Sequence, residues 1–184
     1  MANLTLIIPT KKEAESLPTF LKELENYNFN KLIVLQEEDI ETQKAIAKID
    51  DIDILVQKNP GYGNALKEGI EATKTEYSCI INADGSMDPK YLSEMINECK
   101  NRDIVFGSRY QKPGGGSDDD DVITFIGNKV FTFITKSILR IKLSDILYTY
   151  VLCNVNKFNN LNLRNNDFKL CIELPVKVKK NNHT

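Results

Sequence analysis

Short apolar runs and stretches of helical spacing alternate along the first hundred residues. Residues 4–8 (LTLII) form an unbroken apolar run closed by Pro9, the pattern of a strand covered on both faces. Residues 13–25 follow with Ala14, Leu17, Phe20, Leu21 and Leu24 three or four apart, which predicts a helix. The alternation then repeats. Strands are predicted at 31–35 (KLIVL), 53–57 (DILVQ), 77–81 (YSCII) and 103–106 (DIVF), with helices at 39–48, 64–73 and 89–99 between them. Strands joined by single helices build βαβ units, so the predicted class is α/β, with a mainly parallel central sheet and helices on both faces. Ligands of such sheets bind beyond the carboxyl ends of the strands. That rule gathers residues 9–10, 36–37, 58–63, 82–86 and 107–109 on one rim.

The pattern changes after Ser108. Residues 112–121 (KPGGGSDDDD) read as an exposed loop whose acid run is solvated rather than a metal site. Glycines ahead of the acids also suit a loop that closes over a bound ligand. Residues 122–139 carry Val122, Phe125, Ile126, Val130, Phe133, Ile134 and Leu139, an apolar helix. It has two readings: packing against the sheet, or lying against a membrane surface. The β-type residues of 146–153 and 168–174, set among Asn-rich turns, predict an α+β finish to the same domain. The whole of 1–184 reads as one domain, and His183 near its end as a disordered residue without function.

Composition narrows the class of partner. The chain has 184 residues, with 24 Lys plus Arg against 26 Asp plus Glu, a formal charge of −2. That balance argues against a nucleic-acid binder working by bulk charge. A chain of this length buries roughly 70% of its unfolded surface and needs no covalent staple. Cys79, Cys99, Cys153 and Cys171 are widely spaced, without a CxxC pair, and read as reduced buried thiols rather than zinc ligands. The opening MANLTLIIPT lacks the pattern of a secretory signal, and no apolar run has the length of a membrane span. A cytoplasmic location is the expectation, with room for peripheral membrane contact.

Two segments of the rim carry chemistry. In Ile81-Asn82-Ala83-Asp84-Gly85-Ser86-Met87-Asp88-Pro89, a strand delivers Asp84 into a loop, then a helix capped by Asp88 with Pro89 at its first position. A carboxylate so placed suits Mg²⁺ or Mn²⁺, which take hard oxygen ligands. Asp is also a common turn residue, so an Asx-turn is the competing reading. In Lys58-Asn59-Pro60-Gly61-Tyr62-Gly63-Asn64, two glycines precede a helix. Exposed N–H groups at its positive end, with Lys58 beside them, would suit a diphosphate; the plain alternative is a turn. It is not a dinucleotide fingerprint, since it follows the third strand and lacks the third glycine.

In order along the chain, IIPTKKEAESL, NPGYGNALKEGIEATKTEYSCIINADGSMDP, DIVFGSRY, GGGSDDDD with FIGNKVF, and Ser144-Asp145 resemble the conserved segments of family 2 glycosyltransferases, nearest the dolichyl- and polyprenyl-phosphate mannosyltransferase subgroup. The resemblance covers roughly residues 4–178. It implies a GT-A fold that transfers a sugar from a UDP- or GDP-sugar with inversion. Residues 1–107 would be the nucleotide-sugar half and 108–184 the acceptor half, shortened at its C-terminus. Pro9, Thr10 and Glu13 would line the nucleotide pocket, with Gln36, Lys58, Gly63, Asn82 and Asp84. Asp84, Asn82 and Ser86 would meet a Mg²⁺ or Mn²⁺ ion. Arg109 would bind the phosphate of a polyprenyl-phosphate acceptor. For a saccharide or other hydroxyl acceptor, Asp145 would be the general base.

The departures bear on the same residues. Gln36-Glu37 stands where the family has Asp-Asp, and Asn82 where it has the first acid of its D-x-D. Tyr148-Thr149-Tyr150 replaces an aromatic-Gly-aromatic, and an arginine before the long helix and a C-terminal Arg-x-x-Gly are missing. An active transferase and a non-catalytic relative that binds a nucleotide sugar or a protein partner are both compatible with this set.

Overall fold

The structure, a computed structural model, describes residues 3–110, 127, 130, 132–133, 135–138, 140–141 and 143–183. Six strands form one sheet: β1 (Leu4–Pro9), β2 (Asn30–Leu35), β3 (Asp53–Val56), β4 (Tyr77–Ile80), β5 (Ile104–Phe106) and β6 (Val151–Asn154). Their order across the sheet is β3-β2-β1-β4-β6-β5. β1, β2, β3 and β4 pair in parallel, whereas β6 runs antiparallel between β4 and β5. The sheet is therefore mainly parallel, as the alternation of elements predicts.

The helices are α1 (Ser16–Glu23), α2 (Ile40–Ile46), α3 (Tyr62–Ala72), α4 (Leu92–Cys99), α5 (Val155–Asn159) and α6 (Leu170–Lys180). Period-two alternation along the strands splits the core into two layers. Leu4, Leu6 and Ile8, with Ile33, Leu35, Cys79 and Leu152, pack under α1, α2 and α4. Ile7, with Val34, Ile80, Val151 and Cys153, faces α3, α5 and α6. All four cysteines are buried and free, matching the reading of reduced thiols.

Several expectations shift. The first helix begins at Ser16 rather than Glu13, because Lys12 takes a positive φ of 61°. The backbone N–H groups of Lys12 and Glu13 are instead tied to the Asp39 carboxylate and the Thr42 hydroxyl at the start of α2. Of 146–153 only the end is strand, and of 168–174 residues 170–174 are the start of α6. There Leu170, Cys171 and Leu174 are buried at helical spacing, so the β-type composition yields to packing against the sheet. His183 is not disordered: its Nδ1 lies 3.1 Å from Asp103 Oδ2, and Lys157 Nζ is 3.3 Å from the other oxygen. The loop predicted at 112–121 lies outside the described residues. Within 122–139 the described positions 127, 130, 132, 133 and 135–138 are helical. There Thr132 and Thr135 are buried, whereas Phe133 (71%) and Ile138 (72%) are exposed, so these two apolar side chains are not packed on the sheet. Among the described residues no helix is long and apolar enough to cross a membrane.

Candidate functional site

The parallel strands β1 to β4 end on one side of the sheet. β6 runs the other way, so the segment that enters it, residues 145–150, arrives at the same rim. This reversal brings Asp145, Tyr148 and Thr149 to Asp84 although about sixty residues separate them.

Asp84 is exposed just beyond β4. Its Oδ1 accepts hydrogen bonds from the Ser86 N–H (3.0 Å) and hydroxyl (2.6 Å), an Asx-turn completed by Gly85 at φ 75°. Open space around Gly85 leaves this loop uncovered among the described residues. Two tyrosines from the segment entering β6 hold its far side: Tyr148 donates to the Ser86 carbonyl (3.0 Å) and Tyr150 to the Asp88 carbonyl (3.1 Å). Asp88 caps the following turn through the Lys90 N–H, as predicted.

Arg109 and Asp145, predicted on the acceptor side, meet each other. Arg109 Nε donates to Asp145 Oδ2 at 2.8 Å and Nη2 to Oδ1 at 3.2 Å, a bidentate pair. The Asp145 side chain is only 1% exposed and that of Arg109 17%. The guanidinium sits 5.0 Å from the centre of the Tyr148 ring and 5.1 Å from that of Tyr110. Arg109 is thereby linked, through Tyr148, to the Asp84 loop. Burial pushes the Tyr148 hydroxyl up to about 12, against the lowering effect of Arg109, and the charges of Asp145 and Asp84 push it further.

Asn82 carries a second network. Tyr62, at the start of α3, donates its hydroxyl proton to Asn82 Oδ1 (3.2 Å), and its oxygen lies 2.6 Å from Thr149 Oγ1. Burial holds this phenol far above its ordinary range, so it is protonated at neutral pH. Its ring stacks on Phe168, with centres 4.7 Å apart.

The paired glycines have a different use from a diphosphate cradle. Gly61 takes φ 114°, and a Cβ there would lie 2.2 Å from the Asn166 carbonyl oxygen. At Gly63 a Cβ would lie 2.8 Å from the carbonyl oxygens of Asn165 and Asp167, and the Asn64 N–H donates to Asn166 O at 3.2 Å. The loop 165–167 of the same chain thus occupies the approach that the glycines open. Lys58 is exposed, and its backbone N–H, with that of Asn59, is bound by Glu68. Thr10 donates to Val34 O through both N–H and hydroxyl, beside Pro9 at the β1–β2 junction. Glu13 accepts from Ser16, and the Gln36 carbonyl accepts from the Asp39 N–H and the Gln43 amide. These five residues stand at the rim, but no hydrogen bond or ion pair among the described residues joins them to Asp84.

A divalent ion would find few ready ligands. Among the described residues no three Asp, Glu, His or Cys side chains converge. Asp84 Oδ2 lies outside the Ser86 turn, whereas the Asn82 oxygen is already bound by Tyr62. A six-coordinate cation would thus take most of its oxygens from a bound diphosphate and water. Two depressions of about 290 and 280 Å³ among the described residues lie away from this rim, beside Asp103 and beside Phe158. The exposed Asp84 loop, with Tyr148, Arg109 and the Tyr62 network on the segments around it, is the candidate site instead.

The sheet order and the covering of both sheet faces define an α/β fold of the GT-A type. The sequence model of glycosyl transferase family 2 matches residues 5–161, and the chain belongs to that family. It is 32% identical over 107 residues to an uncharacterised glycosyltransferase of Mycobacterium tuberculosis, a match covering 57% of this chain and 48% of the relative. The chain thus spans about half the length of the curated relatives it matches. Among solved structures, glucosyl-3-phosphoglycerate synthase of Mycobacterium tuberculosis with Mn²⁺, UDP and glucosyl-3-phosphoglycerate superposes with a TM-score of 0.72 at 12% identity. That match covers 96% of this chain and 65% of that one. Mannosyl-3-phosphoglycerate synthase of Rubrobacter xylanophilus gives 0.64 at 16% identity, over 84% and 54% of the two chains. Both share the fold.

Tyr62, Tyr148, Thr149 and the loop 165–168 were not singled out by sequence reasoning as site residues. The signals for them are Tyr148-Thr149-Tyr150 at the aromatic-Gly-aromatic of the family pattern and the place of Tyr62 between Gly61 and Gly63.

Proposed function

We propose that this chain is the core of a sugar transferase that binds a nucleoside-diphospho-sugar and passes the sugar to an acceptor bearing a phosphate. The observation that carries this is the Arg109 guanidinium, clamped by buried Asp145 and stacked on the tyrosine that holds the Asp84 loop. It sets a fixed cation on the tyrosine that holds the loop of Asp84, the carboxylate at which a donor diphosphate would end. Both Asp145 oxygens accept from Arg109, so this carboxylate positions the arginine rather than serving as a general base. A phosphate acceptor is ionised near neutral pH and attacks without a base. Its oxygen forms the bond to the anomeric carbon as the bond to the diphosphate breaks, with inversion.

Asp84 would hold a Mg²⁺ or Mn²⁺ ion together with the diphosphate, and the ion would offset charge on the leaving group. Thr10, Gln36 and the neighbouring Pro9 and Glu13 would contact the nucleoside from the ends of β1 and β2. The acceptor class covers a polyprenyl phosphate and a small phosphorylated acid. The similar solved structures, named as phosphoglycerate synthases, support the phosphorylated class.

The test is transfer and donor hydrolysis with a panel of UDP- and GDP-sugars, Mn²⁺, and both acceptor types. Turnover by the native chain, reduced on the order of 100-fold in Asp84→Ala, is the expected result. Nucleotide binding without turnover for any pair would instead establish a non-catalytic relative.

A further inference from the structure

Asn82 stands where the family pattern has an acid, and its surroundings give the substitution a specific sense. A tyrosine hydroxyl has one proton, and Tyr62 gives it to Asn82 Oδ1. The Thr149 hydroxyl, 2.6 Å away, therefore donates into the Tyr62 oxygen, and the three side chains form a directed relay from Thr149 through Tyr62 to Asn82. A carboxamide is planar, with oxygen and nitrogen on opposite sides. Tying the oxygen to Tyr62 fixes where the nitrogen points. That nitrogen has no partner among the described residues, yet no buried side-chain polar atom of those residues lacks one, so the amide reaches solvent at the rim. Tyr62 is itself held by its stack on Phe168 and by its place at the start of α3, so the relay is anchored on three elements.

We propose that Tyr62 and Thr149 are positioning residues that hold the Asn82 amide outward, making Asn82 a direct hydrogen-bond donor to the donor diphosphate rather than a cation ligand. This rests on the nucleotide-sugar reading of the rim. A carboxylate at this position would repel a diphosphate unless a cation lay between them; an amide N–H attracts it without one. Nucleotide binding should then survive removal of the metal, and Asp84 should account for the metal's contribution.

The experiment is calorimetric titration of the full chain with UDP and with GDP, in EDTA and in Mn²⁺. The native chain is expected to bind one of the two in EDTA. Asn82→Asp should weaken binding in EDTA by about 10-fold or more, and Mn²⁺ should restore much of it. Tyr62→Phe keeps the stacked ring and should weaken binding in EDTA by about 3- to 10-fold, with a smaller effect in Mn²⁺. Thr149→Val should behave like Tyr62→Phe, and Thr149→Ser, which keeps the hydroxyl, like the native chain. A purely structural role would leave the ratio of the two dissociation constants unchanged in these variants, and that result overturns the proposal. Native binding seen only with Mn²⁺ overturns it while the nucleotide-sugar reading stands. Failure to bind either nucleotide in Mn²⁺ removes both.

Discussion

Asp145 is the side chain whose role changed most between residue pattern and three dimensions. As a sequence feature it is an acid after a serine, in the place of a base. In the fold it is almost wholly buried and engaged at both oxygens by Arg109, which makes the two residues one unit. Removing one partner of such a pair leaves the other charge desolvated, at a cost of about 3–5 kcal/mol. Asp145→Ala is therefore expected to lose about 3 kcal/mol of stability, read as a lowered urea midpoint. Asp145→Asn, which retains an acceptor oxygen, should lose less. The pairing was not legible from the residues because Arg109 and Asp145 are 36 positions apart and meet only through the reversal of β6. Asp84 was legible, because a strand end followed by small residues predicts both its exposure and its Asx-turn.

At the scale of elements, the contact between α3 and the loop before α6 shows how a local motif is redirected. Glycines ahead of a helix open a path to its N–H groups, and either an anion or another backbone can use it. Here loop 165–167 does, and Glu173 in the first turn of α6 holds that loop. Its carboxylate accepts from the backbone N–H of Arg164 and Asn165 and from the Asn165 amide. Burial pushes this carboxyl up, but those hydrogen bonds and the Lys177 charge outweigh it and hold it below its ordinary value. A depressed carboxyl contributes stability that is complete above the unfolded value, near 4.3, and lost as pH falls through the lower folded value. Glu173→Gln should thus flatten the decline of the urea midpoint below about pH 4.3. It should also speed hydrogen exchange at residues 164–168 at neutral pH. The β-type reading of 168–174 fails because Phe168 to Leu174 is rich in residues that suit either state. Burial of Leu170, Cys171 and Leu174 together against the sheet decided between them.

For the whole molecule, the two-layer core and the open rim predict where ligand binding acts. A nucleotide that binds only the folded chain stabilises it by about 2.7 kcal/mol at a hundred times its dissociation constant. For a chain of this size each kcal/mol raises Tm by about 2–4 °C, so saturating UDP or GDP should raise it by roughly 5–10 °C. Asp84→Ala, which leaves the core untouched, should remove the part of that shift that Mn²⁺ adds while leaving the unliganded Tm within about 1–2 °C. A Mn²⁺-dependent part of the shift that Asp84→Ala leaves intact would place the metal elsewhere on the molecule.

Taken alone, the sequence determined the sheet class, the succession of strands and helices through β5, and the exposed strand-end loop of Asp84 with its Asx-turn. These follow from period-two and helical spacing and from turn residues, all written within a few residues of one another. The tertiary structure decided the antiparallel insertion of β6, the Arg109–Asp145 clamp, the relay from Thr149 to Asn82 and the filling of the glycine approach by loop 165–167. Each of these depends on segments distant in the chain meeting at one end of the sheet. That meeting is set by how the two faces of the core are covered, which no local pattern encodes.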